Sequence, residues 1–216
     1  MNLNKASCIA ALAVAASMLG GCANQPYDYT NYREHQPRSI LVLPPLNQST
    51  TIEGTYGYLS TVTLPLAEMG YYVFPVAVVD QFLKENGMPG AGEMHEISLA
   101  KVAQITGADA VLFVTLQQYG SKYHVFNSTV TVQAKAKLVD TRTGILLWEG
   151  EALEQSDSSE TGNALVDAIT AAVAQVINSK TDPAHEVSRQ ANATLFDAGE
   201  RGLLYGPYNP KYEKTN

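Results

Sequence analysis

Cysteine is nearly absent from this chain of 216 residues: there are two, Cys8 and Cys22, both close to the N-terminus. Beyond residue 22 no disulfide and no cysteine-ligated metal site can form, so the body must be stable through its core alone, even in an oxidising compartment. Charge is also scarce, at 16% of residues against a usual quarter. The 14 basic residues are outnumbered by 21 acidic ones, giving a formal charge of −7 and a pI near 5.0. Without a basic stripe the chain argues against a nucleic-acid partner. An acidic body also gains nothing from an anionic bilayer surface. A long hydrophobic run is missing too. The stretch Ala6–Leu19 is small or apolar apart from Ser7 and Ser17. As a helix it would reach about 21 Å at ~1.5 Å per residue, short of a hydrocarbon core ~30 Å thick. Hydrophobic residues nevertheless make up 45% of the chain, ample for one folded domain and unlike a disordered composition.

The N-terminus has what a secreted precursor needs. Lys5 is the sole charge before Asp28, the short apolar run follows it, and small residues close the run. Its end, Leu19-Gly20-Gly21-Cys22, resembles the lipobox of bacterial lipoproteins: an aliphatic residue, two small residues that let an extended backbone enter a peptidase site, then cysteine. The resemblance implies cleavage between Gly21 and Cys22 and lipidation of Cys22, with a thioether-linked diacylglycerol and an N-acyl chain such as palmitate. No other cofactor is expected. Two acyl chains already anchor stably at ~0.8 kcal/mol per buried CH₂, so three hold the protein at the membrane. By resemblance to enterobacterial lipoproteins, Ala23 in place of aspartate implies the outer membrane, with the body facing the periplasm.

The cleaved chain divides by pattern. Residues 22–38 have no apolar period and are broken by Pro26 and Pro37, which predicts a lipidated flexible tether spanning about 22 Å by the ~5–6 Å × √n rule. Residues 39–198 read as the globular domain. Ile40–Leu43 is a continuous apolar run ended by Pro44-Pro45, as in a strand buried on both faces. Leu59, Val62, Leu66 and Met69 mark one helical stripe, with a kink or restart expected at Pro65. A strand follows at Tyr71–Phe74, a helix at Val76–Glu85, and a flexible loop over residues 87–92. A helix over Ser98–Thr106 ends at Gly107, suited to a left-handed cap, and Ala110–Leu116 is a third buried strand. Val130 to Leu138 alternates apolar with polar residues, and Asp140–Gly144 is a turn returning through Ile145–Ala152, which predicts a hairpin with one wet face. Two helices close the body, one carrying Leu165, Ile169, Val173 and Val176, the other capped by Asp182-Pro183 and carrying Val187, Ala191 and Leu195. Residues 199–216 read as a Tyr/Gly/Pro-rich tail. The order predicts an α/β single domain: a mixed β-sheet with a hairpin in its C-terminal half, packed by helices mainly on one face.

Three segments support a family. ILVLPPLNQST at 40–50, GADAVLFVTL at 107–116 and LVDTRTGILLWEG at 138–150 resemble a family of bacterial outer-membrane lipoproteins of unknown function, one that includes a meningococcal surface antigen candidate. The resemblance covers nearly the whole body. The third segment is more weakly similar to the curli secretion lipoprotein and to the N-terminal domain of TolB. This implies a small α/β domain used in envelope assemblies rather than a catalytic site, since the shared segments are structural.

The chain has no G-x-S-x-G elbow, no P-loop and no G-x-G-x-x-G, and none of His35, His95, His124 and His185 is paired at i, i+4. Glu93, His95 and Glu96 form the one dense acid–histidine cluster, read as a solvated loop because no third ligand of fixed spacing accompanies it. No metal is expected. Ser156–Glu160 reads as a hinge loop and Trp148 as a packing residue. Tyrosine is the remaining oddity. Of twelve, Tyr27, Tyr29 and Tyr32 fall in the tether and Tyr205, Tyr208 and Tyr212 in the tail. Exposed tyrosines suit an interface, so Tyr205, Tyr208 and Tyr212 are candidate interface residues; the other reading lays both tails against their own domain. Functionally the chain reads as a non-catalytic interaction or assembly module of an envelope complex, of the transport or secretion kind, with other envelope proteins or a second copy as partners. The alternative is a periplasmic binder of a small ligand or peptide with a cleft near residues 87–96, and an enzyme ranks last.

Overall fold

Strand β1, Ser39–Val42, shows why its sequence has no polar face. Ile40 and Val42 point into one core and Leu41, with Leu43 just beyond, into another on the opposite side of the sheet. The computed structural model describes residues 26–123, 128–157, 183–199 and 201–212. Within these, β1 lies parallel between β3 (Tyr72–Val73) and β4 (Ala110–Tyr123). Pro44-Pro45 breaks the strand without redirecting it: β2 (Leu46–Asn47) resumes alongside β4 opposite Thr115 and Leu116.

Helix α2, Gly54–Glu68, carries the chain from β2 to β3, and three short helices, α3 (Val76–Glu85), α4 (Ala91–His95) and α5 (Leu99–Thr106), carry it from β3 to β4. The strand order β3-β1-β4-β5-β6 makes the first connection step one way and the second step back past β1. Crossovers between parallel strands are right-handed, so opposite steps require opposite faces of the sheet. Accordingly Tyr58, Leu59, Val62 and Leu66 of α2 join one core, whereas Val79 and Leu83 of α3, Met94 of α4 and Val102 of α5 join the other. The long helices share the first face; the short ones cover the second only behind the parallel strands. Helix α2 runs unbroken through Pro65, which is buried on its inner side, so it does not restart there. The predicted loop over 87–92 gives way at Ala91 to α4, because Met94 is 1% exposed and fixes that turn to the core. Gly107 closes α5 at φ +71 as expected, its N–H donating to the Ala103 carbonyl.

The antiparallel half exceeds its predicted extent. Strand β4 continues to Tyr123, β5 covers Ser128–Asp140 and β6 covers Leu146–Asp157. Gln117–Tyr123 has no apolar period, yet Gln118–Tyr123 pairs with Ser128–Gln133, with Gln117 left over in a bulge after Leu116. Ser156 and Asp157, expected in a hinge loop, belong to β6. Helix α6, Pro183–Phe196, packs Val187, Ala191, Leu195 and Phe196 against α2 and the inner face of β4–β6. The expected helix around Leu165–Val176 and the cap at Asp182 lie outside the described residues.

The N-terminal segment departs from the expected tether, and both terminal segments follow the reading that lays them against their own domain. The flexible tether predicted through Arg38 is, from Tyr27 onward, packed on the body, with Thr30–His35 forming helix α1 around a fully buried Tyr32. The tail likewise buries Leu203 and Leu204, burial that contributes roughly 1.5–3 kcal/mol per side chain. It continues with Gly206 N–H donating to the Met69 carbonyl and Tyr208 N–H to that of Gly70. Gly70 has φ +91, and a Cβ there would fall 2.3 Å from the Asn209 nitrogen, so the docked tail requires glycine.

Candidate functional site

Among the described residues no group of three or more His, Asp or Glu side chains could hold a metal ion. His95 is taken by the fold: its Nε2 lies 2.9 Å from the Pro44 carbonyl and its ring meets Phe113 edge-on. Burial holds its pKa below the ordinary histidine value, which suits a neutral imidazole donating one hydrogen bond. Glu93 and His95 sit on helix α4, not on the extended backbone that would bring them together. Among the same residues no helix is long and apolar enough to cross a membrane.

What the structure does gather is hydroxyls. Tyr32 Oη pairs with Tyr71 Oη, which donates to the Leu204 carbonyl at 2.5 Å. Tyr29 Oη donates to the Gly202 carbonyl at 2.5 Å, and Tyr27 Oη accepts the Glu149 amide of β6 at 2.9 Å. Tyr212 Oη donates to Gln36 Oε1 at 3.1 Å. Burial raises the pKa of Tyr27, Tyr29, Tyr32 and Tyr71, so all four stay protonated, Tyr29, Tyr32 and Tyr71 as donors and Tyr27 as the acceptor of the Glu149 amide. These bonds clasp the N-terminal segment, the body and the C-terminal tail together. Of the three candidate interface tyrosines, Tyr205 is half-buried beneath the Lys211 ammonium, Tyr212 is engaged by Gln36, and Tyr208 stands 67% exposed.

The other distinctive surface is the antiparallel ribbon. Its inner face is apolar; its outer face presents Lys135 and Lys137 opposite Glu151 and Glu149, at 3.4 and 3.9 Å. Such exposed pairs add at most about 1 kcal/mol each, so they keep the face wet and in register rather than stabilise it. Strand β6 is a sheet edge. Its near end is covered by Tyr27 on Glu149 and by Asn31 Nδ2 on the Leu146 carbonyl, 3.1 Å away. The amides of alternate residues share a direction, so those of Glu151, Leu153 and Gln155 also point away from β5. Between this edge and α6 lies a groove of about 690 Å³ lined by Lys135, Glu149, Glu151, Thr194, Asp197 and Arg201, among others. A hollow of about 190 Å³ lies farther along the ribbon between Gln48–Thr51 and Gln117–Lys122. No motif announced either one. The K-x-K and E-x-E spacings at 135–137 and 149–151 were the available signal for the charged face.

The sequence profile of the family described as "Putative lipoprotein GNA1162-like" matches residues 27–208. The chain belongs to this lipoprotein family. A lipoprotein of Neisseria meningitidis serogroup B, NMB1124/NMB1162, is 44% identical over 183 residues, covering 84% of this chain and 85% of the relative. The crystal structure of lipoprotein GNA1162 from Neisseria meningitidis, also 44% identical, superposes with a TM-score of 0.54 over 67% of this chain and all of that one. The PelC dodecamer from Paraburkholderia phytofirmans is 11% identical and superposes with a TM-score of 0.46 over 79% of this chain and 91% of its own. The matched span begins at Tyr27, the first tyrosine of the clasp, and ends at Tyr208, whose amide docks the tail. The docked N-terminal segment and the docked tail as far as Tyr208 therefore fall within the span matched by the family profile. Gly21 and Cys22 lie outside the described residues.

Proposed function

We propose that this family member is an outer-membrane lipoprotein, cleaved before Cys22 and held by acyl chains on that residue. Its periplasm-facing body is a non-catalytic docking module of an envelope complex, of the transport or secretion kind. The observation that carries the docking role is the ribbon. Strands β4–β6 run past the last parallel pairing at Leu116 and end in a β6 edge whose outward amides at Glu151, Leu153 and Gln155 have no partner among the described residues. An edge of this kind takes an added strand from another protein through main-chain bonds. The anchor is tested by Cys22→Ser, which is expected to move the protein from the membrane to the soluble fraction. Retention of the unmodified variant in the membrane would refute the anchor. For docking, gentle detergent extraction followed by mass analysis is expected to recover envelope proteins with the wild type. Leu153→Pro, which removes one outward amide, should lose them. Wild-type protein recovered alone would sink the docking role.

A second reading is favoured by the groove at Lys135, Glu151 and Arg201, whose volume suits a small ligand or peptide. It replaces the cleft expected near residues 87–96, where α4 is packed on the core. A small molecule retained in the same extraction would support it.

A further inference from the structure

The clasp limits how the body can sit on a membrane, given the anchor at Cys22 proposed above. Five residue steps join Cys22 to Tyr27, a reach of at most about 17 Å at ~3.5 Å per step. Tyr27 is fixed beside Glu149 by its hydroxyl, and from there α1 runs back along β6 toward the β5–β6 turn, with His35 next to Thr143. Glu149 therefore marks the height at which the clamped chain leaves the body. From Glu149 to Asp157, at the far end of β6, is eight steps or about 26 Å at ~3.3 Å each. Asp157 lies level with Thr129 and, through it, with Lys122. With the ribbon upright on its near end, an anchor with a reach of about 17 Å leaves that far end well away from the lipid; only a ribbon lying flat would bring it there. The near end is closer: Leu146 is three steps from Glu149, about 10 Å.

The near end also has a surface suited to headgroups. It presents the exposed side chains of Arg33, Arg38, Arg142 and Lys211, with Ile145 and Leu146 more than a third exposed beside them. The acids there are Asp28, Glu34 and Glu68, all exposed, Asp140, 3.9 Å from the Arg142 guanidinium, and Asp109, whose carboxylate accepts from the Arg38 and Ser39 amides and the Ser39 hydroxyl. In a chain of net charge −7 this is a nearly balanced end. We infer that the pole formed by α1, the β5–β6 turn and the C-terminal tail rests on the phospholipid surface, so that the far end of the ribbon is held away from it.

The absence of other cysteines after Cys22 makes this testable with single labels. Lipid-modified protein carrying a fluorophore at Glu34→Cys or Lys122→Cys, both exposed, is bound to phosphatidylethanolamine–phosphatidylglycerol vesicles bearing a headgroup quencher. Quenching is expected to be several-fold stronger at position 34 than at 122. Inserting twelve Gly/Ser residues after Gln25 lengthens the reach without touching the clasp and should bring the ratio close to one. Equal quenching without the insertion, or stronger quenching at 122, overturns the orientation. Failure of the protein to float with the vesicles would instead remove the anchor, and the orientation with it.

Discussion

The Tyr71 hydroxyl donates to the Leu204 carbonyl at 2.5 Å, joining residues 133 positions apart, and itself receives the Tyr32 hydroxyl. All three groups are buried, so removing the middle one strands the other two. Tyr71→Phe is expected to cost about 1–3 kcal/mol for each orphaned group, read as a lower denaturant midpoint. A change below half a kcal/mol would mean that water reaches the site and that the clasp is loose.

The same clasp changes what truncation reports. Removing residues 203–216 deletes the buried Leu203 and Leu204 and is expected to lower thermal stability, since Leu→Ala at such sites alone costs about 2–5 kcal/mol. A lost partner after truncation would therefore not identify an interface. Tyr208→Ala, at a side chain 67% exposed, should leave the melting temperature within about a degree and is the cleaner test of a tail contact.

Asp140 holds the β5–β6 turn. Its carboxylate accepts the Arg142 amide at 3.0 Å, the Thr143 amide at 2.8 Å and the Thr143 hydroxyl at 2.9 Å. Burial alone would raise its pKa; the bonds from Thr143 and Arg142 outweigh that and hold it below the usual carboxylate value. The folded state then binds fewer protons than the unfolded one. The stability is present above the unfolded value of ~3.9 and is lost as pH falls through the lower folded value. Asp140→Ala should cost about 1–3 kcal/mol at pH 7, and Asp140→Asn should flatten the loss of stability between pH 5 and 3 in denaturant titrations. An unchanged acid profile would show that another carboxylate dominates.

His95 predicts a pH effect in a different window. Its folded pKa lies below the ordinary ~6.5, so the unfolded chain takes the proton first and stability falls as pH drops below that value. His95→Gln keeps a donor for the Pro44 carbonyl and removes the titration. The variant is expected to lose less stability than the wild type between pH 7.5 and 5.5. Added zinc should shift the melting temperature of neither, whereas a zinc-dependent rise in the wild type alone would revive the acid–histidine cluster as a ligand set.

Much of the fold was legible because local patterns decide it. The all-apolar run at 40–43 announced a strand covered on both faces, the alternation at 130–138 announced a ribbon with one wet face, and Gly107 announced a cap at positive φ. The helices behind the second face were legible as helices, but their side of the sheet was set by the β3-β1-β4 order, which no single segment contains. The candidate surfaces were less visible. The charges of the outer ribbon face could be read from their spacing, but the groove beside Arg201 is made by segments some fifty residues apart.

The sequence by itself determined the elements whose reason is local: buried strands, the alternating hairpin, the helix stripes, the lipobox-like stretch ending at Cys22 and the lack of any thiol beyond it. Tertiary structure alone decided how far β4 and β6 extend and whether the two ends are loose. Gln117–Tyr123 is a strand because β5 lies beside it, and Tyr29 and Tyr32 are core, with Tyr27 packed against it, because Tyr71, Gly202 and Glu149 accept or supply their bonds. A polar or tyrosine-rich segment has no intrinsic period to reveal its fate. Its burial depends on hydrogen-bond partners brought from distant parts of the chain.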